Sequence, residues 1–282
     1  MLREKVQNAK RIVIKIGTNS IMNAPTKIDY KKIDRLAYAV SALHQEGKEV
    51  AIVTSGAVGL GASTMNLKEY PASIAGQQAL ASIGQGVLMN LYSKFFSHYN
   101  QHVGQVLITR DVISFPESYK NVSVALDTLL SKGVIPIINE NDAVSVDELN
   151  HNTKFGDNDT LSAIVSEVID ADLLVILSDI EGLYTANPAT DKNAELITYV
   201  NEVTPEIIEM AGGAGSKFAT GGMATKLQAA DRMIRRQKAV VIMKSDEPSK
   251  LFNLLAGEEI GTLFMKEGIH SDKQYSSIGN RS

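Results

Sequence analysis

Six short runs of apolar, largely β-branched residues punctuate the chain: RIVIKI (11–16), EVAIVT (49–54), VGQVLIT (103–109), VIPIIN (134–139), LLVILS (173–178) and AVVIM (239–243). They are apolar throughout rather than alternating, the pattern of strands covered on both faces. Between them, apolar positions recur at helical spacing near 29–46, 74–98, 118–132, 159–170 and 223–236. Gly47 and Gly133 follow the first and third of these segments, where a helix C-terminus favours glycine. Strand and helix in turn predict an α/β fold, a three-layer αβα sandwich around a mostly parallel central sheet. Two stretches break the rhythm: 140–158 is polar and rich in Asn and Asp, and glycines cluster within 204–222. The end, 265–282, is polar without a period and predicts a loosely ordered tail.

Length and composition narrow the classes. A chain of 282 residues with 44% hydrophobic and 21% charged residues suits one soluble α/β domain with a sizeable core. A net charge of -4 supplies no general field for nucleic acid or an anionic membrane, so any anion site must be built locally. The absence of cysteine removes disulfides, thiolate nucleophiles and cysteine metal sites, and fits a reducing, cytoplasmic home. The charged start, MLREKVQNAKR, leads into an apolar run of strand length, which predicts neither a signal peptide nor a spanning helix.

In open parallel sheets, ligands sit beyond the carboxyl ends of the strands. Reading only those places gives Lys15 with Gly17-Thr18-Asn19, TSGAVGLG (54–61), NENDAV (139–144), FGDND (155–159) and SDIEGLYTANP (178–188). Each has a plain structural alternative: a snorkelling lysine, a helix cap, a turn, an acidic helix start. TGGMATK (220–226) is harder to explain that way, because glycines before a helix start let backbone amides close on an anion and Lys226 adds a movable charge. No GxGxxG, Walker A or protein-kinase signature occurs. His98 and His102 stand four apart without a third ligand in view and read as a helical surface pair.

Taken in order, VIKIGTNSI, IVTSGAVGLG, IPIINENDAV, GDNDTLSA, LSDIEGLYTANP, TGGMATKLQAA and GTLF resemble the amino acid kinase family, in particular members that phosphorylate the γ-carboxylate of L-glutamate as the first step of proline synthesis. The resemblance runs from Arg11 to Phe264, and implies a kinase domain over 1–264 followed by the tail 265–282. It implies that Lys15 and Lys226 contact the transferring phosphoryl group and that Asp159 orients both. Ser178, Asp179 and the loop Thr220, Gly221, Gly222, Met223, Ala224, Thr225 and Lys226 would hold ATP, and Ser55, Asp142 and Asn158 would hold glutamate. Asp157 would lie near a metal or an inhibitor. The further expectations are Mg²⁺, feedback inhibition by proline, a homo-oligomer (dimer or tetramer) and functional coupling to glutamate-5-semialdehyde dehydrogenase. Many relatives carry an additional C-terminal domain of the kind found in RNA-modifying enzymes, whereas this chain stops soon after GTLF.

The residue types suit that chemistry. A glutamate γ-carboxyl, with an unperturbed pKa near 4.3, is already an anionic nucleophile at neutral pH and needs no general base. Bringing it to about 4 Å from a phosphate charge costs roughly 4 kcal/mol per unit pair at an effective dielectric near 20, so cations must offset it. Two lysines and Mg²⁺ would do so. Asp142 suits an α-ammonium, and Asn158 and Ser55 can bond carboxylates without repelling them. A nucleotide acceptor would favour arginine, and Arg110 is the nearest one. Carbamate or another carboxylate as acceptor, and a non-catalytic amino-acid-sensing regulator, stay open on the residues alone.

Overall fold

A computed structural model describes residues 2–24, 27–109, 111–144, 158–212 and 222–267. Its strands are β1 (Arg11–Ile16), β2 (Met22–Ala24), β3 (Lys27–Ile28), β4 (Glu49–Thr54), β5 (Val103–Ile108), β6 (Ile135–Glu140), β7 (Leu173–Ser178), β8 (Tyr199–Val200), β9 (Ala239–Lys244) and β10 (Thr262–Phe264). The helices are α1 (Leu2–Gln7), α2 (Thr18–Ile21), α3 (Tyr30–Gln45), α4 (Ala57–Thr64), α5 (Ile74–Ser97), α6 (Asp111–Ser114), α7 (Pro116–Ser131), α8 (Asn158–Val168), α9 (Pro205–Met210), α10 (Met223–Arg235) and α11 (Lys250–Leu255). All six apolar runs are strands and all five periodic segments are helices, with ends shifted by a residue or two. The short strands β2, β3, β8 and β10 are too brief to show a period.

Eight strands form one sheet in the order β5-β6-β4-β1-β7-β9-β10-β8, and β2 and β3 form a separate antiparallel ribbon. Every pairing from β5 to β9 is parallel, β10 pairs antiparallel with β9, and β8 pairs parallel with β10, so the last two strands run opposite to the other six. The chain lays β4, β5 and β6 on one side of β1, then crosses to lay β7 and β9 on the other. Beyond the carboxyl ends of β1 and β7 the strand order therefore reverses, which opens a crevice there.

Alternate residues of each strand feed two separate cores. Ile12, Ile14, Ile16, Ile52 and Val175 pack with α3, α5 and α11, while Val13, Val53, Leu174 and Ile176 pack with α7, α8 and α10. This is the expected αβα sandwich. Met265, one residue past the boundary at 264, is buried, and its carbonyl accepts from the Tyr199 hydroxyl at 2.8 Å. The rest of the expected tail, from 268, lies outside the described residues.

Helix α4 starts after Gly56, whose φ of 101° is in the left-handed region that glycine adopts without strain. It lies nearly in contact with α5: a Cβ on Gly84 would come 1.7 Å from the Ala57 carbonyl oxygen, and one on Gly61 would come 2.0 Å from that of Leu80. That approach fixes where the start of α4, and Ser55 before it, meets the crevice.

Candidate active site

Lys15 occupies an odd position of β1, so its side chain leaves the sheet on the Val13 face, where α8 and α10 lie. Asp159 stands at the first turn of α8, and Lys226 comes from the first turn of α10. The three meet. Lys15 Nζ lies 2.7 Å from Asp159 Oδ1, and Lys226 Nζ donates to Oδ2 at 3.1 Å. Thr225 Oγ1 also donates to Oδ2, at 3.0 Å. All three charged residues are buried: Asp159 is 1% exposed, Lys15 7% and Lys226 8%. Burial by itself would raise the Asp159 carboxyl, but the charges and hydrogen bonds of Lys15 and Lys226 outweigh it and hold the group below the usual carboxylate range. One carboxylate between two lysines leaves the cluster one net positive charge, and its burial weakens the screening of that charge by solvent.

Both lysines border a cavity of about 670 Å³, together with Gly17, Ser55, Asn158, Ser178, Asp179, Gly222 and Met223. Its volume suits a small-molecule site. Ser178 Oγ donates to Asp179 Oδ1 at 3.1 Å at the end of β7. The far wall is the 180–190 loop and the end of α9, with Tyr184, Pro188 and Met210. GTLF is explained by this wall. Thr262 Oγ1 accepts from the Leu183 amide at 2.8 Å and donates to the Ile197 carbonyl at 2.6 Å, which ties the loop to the sheet edge. Gly182 sits so close that a Cβ there would meet Thr262 Oγ1 at 2.4 Å.

Asn158 Nδ2 donates to Ser55 Oγ at 2.5 Å and to the Thr54 carbonyl at 2.9 Å, which brings two of the expected glutamate residues together on the cavity rim. Asp142 is elsewhere. Three residues beyond Asn139, it borders a smaller cavity of about 310 Å³ with Gln85, Gln105 and Glu140. Burial pushes its carboxyl up to about 6. Ala224 lies in the first turn of α10 and does not border either cavity. Thr220, Gly221, Asp157 and Arg110 lie outside the described residues. No group of three or more His, Asp or Glu side chains poised for a metal occurs among the described residues. Asp179 is the only carboxylate on the described border of the larger cavity.

Sequence reasoning does not single out Gln85 or Asn139. Asn139 Nδ2 donates to Gln85 Oε1 at 2.9 Å, and its Oδ1 faces Asn158 Nδ2 at 3.4 Å, so the two amides join the small cavity to the large one. Asn139 is inside the quoted NENDAV, and its burial at a strand end is the available signal. Gln85 is one amide in a 24-residue helix, and nothing in its neighbours marks it.

The amino acid kinase family profile matches residues 10–244. Glutamate 5-kinase of Enterococcus faecalis is 49% identical over 271 residues, 96% of this chain and 100% of that protein. Glutamate 5-kinase of Listeria monocytogenes is 51% identical over 276 residues, 97% of this chain and 100% of that protein. Among solved structures, carbamate kinase from Giardia lamblia bound to AMP-PNP superposes with a TM-score of 0.64 at 18% identity, covering 93% of this chain and 100% of that one. UMP kinase from Bacillus anthracis gives 0.61 at 16% identity over 92% and 97%. The two structural likenesses establish the shared fold, and the full-length sequence matches go further: the chain belongs to the amino acid kinase family and, within it, to the glutamate 5-kinases.

Proposed function

We propose that this chain transfers the γ-phosphoryl group of ATP to the γ-carboxylate of L-glutamate, giving L-glutamyl 5-phosphate and ADP at the opening of proline synthesis. The observation that carries the reading is the buried Asp159 carboxylate shared by Lys15 and Lys226 at the edge of the large cavity. Identity of about half to glutamate 5-kinases over nearly the whole chain supports the choice of acceptor.

A γ-carboxylate oxygen attacks the γ-phosphorus while the bond to the β,γ-bridging oxygen breaks, and no proton has to move. That removes the need for a general base. Lys15, held in the central strand, and Lys226, held in a helix start, offset the repulsion between acceptor and triphosphate and stabilise charge spread over the transferred group. Asp159 pairs with both amines and aims them. Ser178, Asp179 and the segment 220–226 hold the nucleotide, and Ser55, Asn158 and Asp142 hold glutamate. Mg²⁺ fits as an ion carried mainly by the phosphates, since the described residues offer no carboxylate cage and Asp159 is occupied by lysines; when bound it neutralises phosphate charge.

The same reading includes proline as a feedback inhibitor, a homo-oligomer, a cytoplasmic location and hand-over of the labile acyl phosphate to glutamate-5-semialdehyde dehydrogenase. No helix among the described residues is long and apolar enough to cross a membrane. Hydroxylamine trapping tests the core of it: glutamate and ATP together should yield γ-glutamyl hydroxamate and ADP in equal amounts. ADP release that ignores glutamate, or responds equally to carbamate, would overturn the assignment.

A further inference from the structure

The amide of Gln85 has two ends in different surroundings. Its Oε1 accepts from Asn139 Nδ2 at 2.9 Å, whereas its Nε2 is buried without a hydrogen-bond partner among the described residues. The orientation follows from a fixed point. Asn158 Nδ2 faces the Thr54 carbonyl, which can only accept, so the oxygen of Asn139 must face Asn158, its nitrogen must face Gln85, and the Gln85 nitrogen is left over. Gln85 lines the smaller cavity with Glu140 and Asp142. Glu140 Oε1 is likewise buried without a partner among the described residues. Buried polar atoms without partners are uncommon in native proteins, and an unpaired donor and an unpaired acceptor on two residues that line one cavity call for a ligand carrying both complements.

The described lining of that cavity holds two carboxylates, several neutral amides and no base. A simple anion is repelled there, and a simple cation leaves the Gln85 donor unanswered. A carbon bearing both an ammonium and a carboxylate answers both. Building on the acceptor proposed above, we infer that Gln85 is a specificity-determining residue: its Nε2 donates to the α-carboxylate of the amino-acid substrate, while Glu140 and Asp142 face the α-ammonium. The carbonyl end of the same amide orients Asn139, and through it Asn158 and Ser55 on the rim of the phosphoryl-transfer cavity. One side chain thus reads the end of the substrate that does not react and aligns the residues beside the end that does. Burial pushes the Asp142 carboxyl up to about 6, and an ammonium beside it would restore its charge.

The test compares glutamate with its α-amide, in which the α-carboxylate is replaced by CONH₂, as phosphoryl acceptors. Gln85→Glu keeps an oxygen for Asn139 but turns the donor into an anion that repels an α-carboxylate and accepts from an α-amide. The preference for glutamate over the α-amide, as a ratio of kcat/KM, should fall by at least about 30-fold, with KM for ATP within about twofold of the unsubstituted enzyme. Gln85→Leu, which removes the donor without adding charge, should lower the same ratio by about tenfold. A purely structural role would slow both acceptors alike. A ratio within about threefold of the original in both variants, whatever the absolute rates, overturns the inference. Absence of glutamate-dependent hydroxamate in the unsubstituted enzyme would instead overturn the acceptor assignment itself.

Discussion

Asp159 shows what one carboxylate does between two amines. Three like-sized charges buried together would be costly, yet each oxygen has its own lysine and the group titrates below the usual carboxylate range. Removing a corner has different effects depending on which one is lost. Lys226→Ala leaves the Lys15 pair intact, so the fold should survive while one preorganised cation is lost from the transition state. Steady-state assay should find kcat lower by about 10² to 10³-fold. Asp159→Asn leaves two buried ammonium groups facing each other, and loss of a buried partner of this kind costs about 3–5 kcal/mol. That variant should melt well below the original when ligand-free, and should gain more from saturating ATP than the original does, because phosphates then supply the missing negative charge. Equal gains in the two proteins, measured by thermal shift, would mean that the nucleotide does not reach the lysines.

At the level of elements, the position of Ser55 depends on how closely α4 and α5 approach. Gly84→Ala would drive a methyl group into the Ala57 carbonyl, 1.7 Å away, and two helix backbones cannot both yield. Chemical denaturation should show a loss of about 1–3 kcal/mol or more, with KM for glutamate raised as the start of α4 shifts. Gly86, two residues on in the same helix, meets nothing within 4 Å, and Gly86→Ala should stabilise by up to about 1 kcal/mol. The contrast is invisible in sequence, where both are simply glycines inside a helix. The major strands other than the edge strand β5 are legible because burial on both faces makes them largely apolar, and their helices because one buried stripe repeats every three or four residues. Lys15 and Lys226 are legible as charges set against that pattern. Gln85 is not, since a glutamine on a half-buried helix face gives no such contrast, and only its partners reveal its use.

Across the whole molecule, the two cavities impose opposite dependences on pH. The Asp159 carboxyl is depressed, so its contribution to stability is complete above the ordinary carboxylate pKa and is lost only as pH falls through its lower, folded value. Asp142 is raised to about 6, so the folded chain binds its proton more tightly than the unfolded chain does. Its charged form therefore costs stability above about pH 6, and that cost is relieved as pH falls from about 6 towards 4. Substituting Asp142→Asn should stabilise the ligand-free protein by about 2 kcal/mol at pH 7.5, with the advantage gone by about pH 4. The same change removes a charge that an α-ammonium would use, so KM for glutamate should rise while KM for ATP stays put. In the unsubstituted enzyme, lowering pH from 7.5 to 5.5 should by itself raise KM for glutamate about fourfold as Asp142 takes up its proton, and this sensitivity should vanish in Asp142→Asn. A carboxylate kept charged at a cost to the fold makes sense only where a cation arrives to share it. A variant that is more stable at neutral pH and yet binds glutamate as well as before would remove Asp142 from the substrate site.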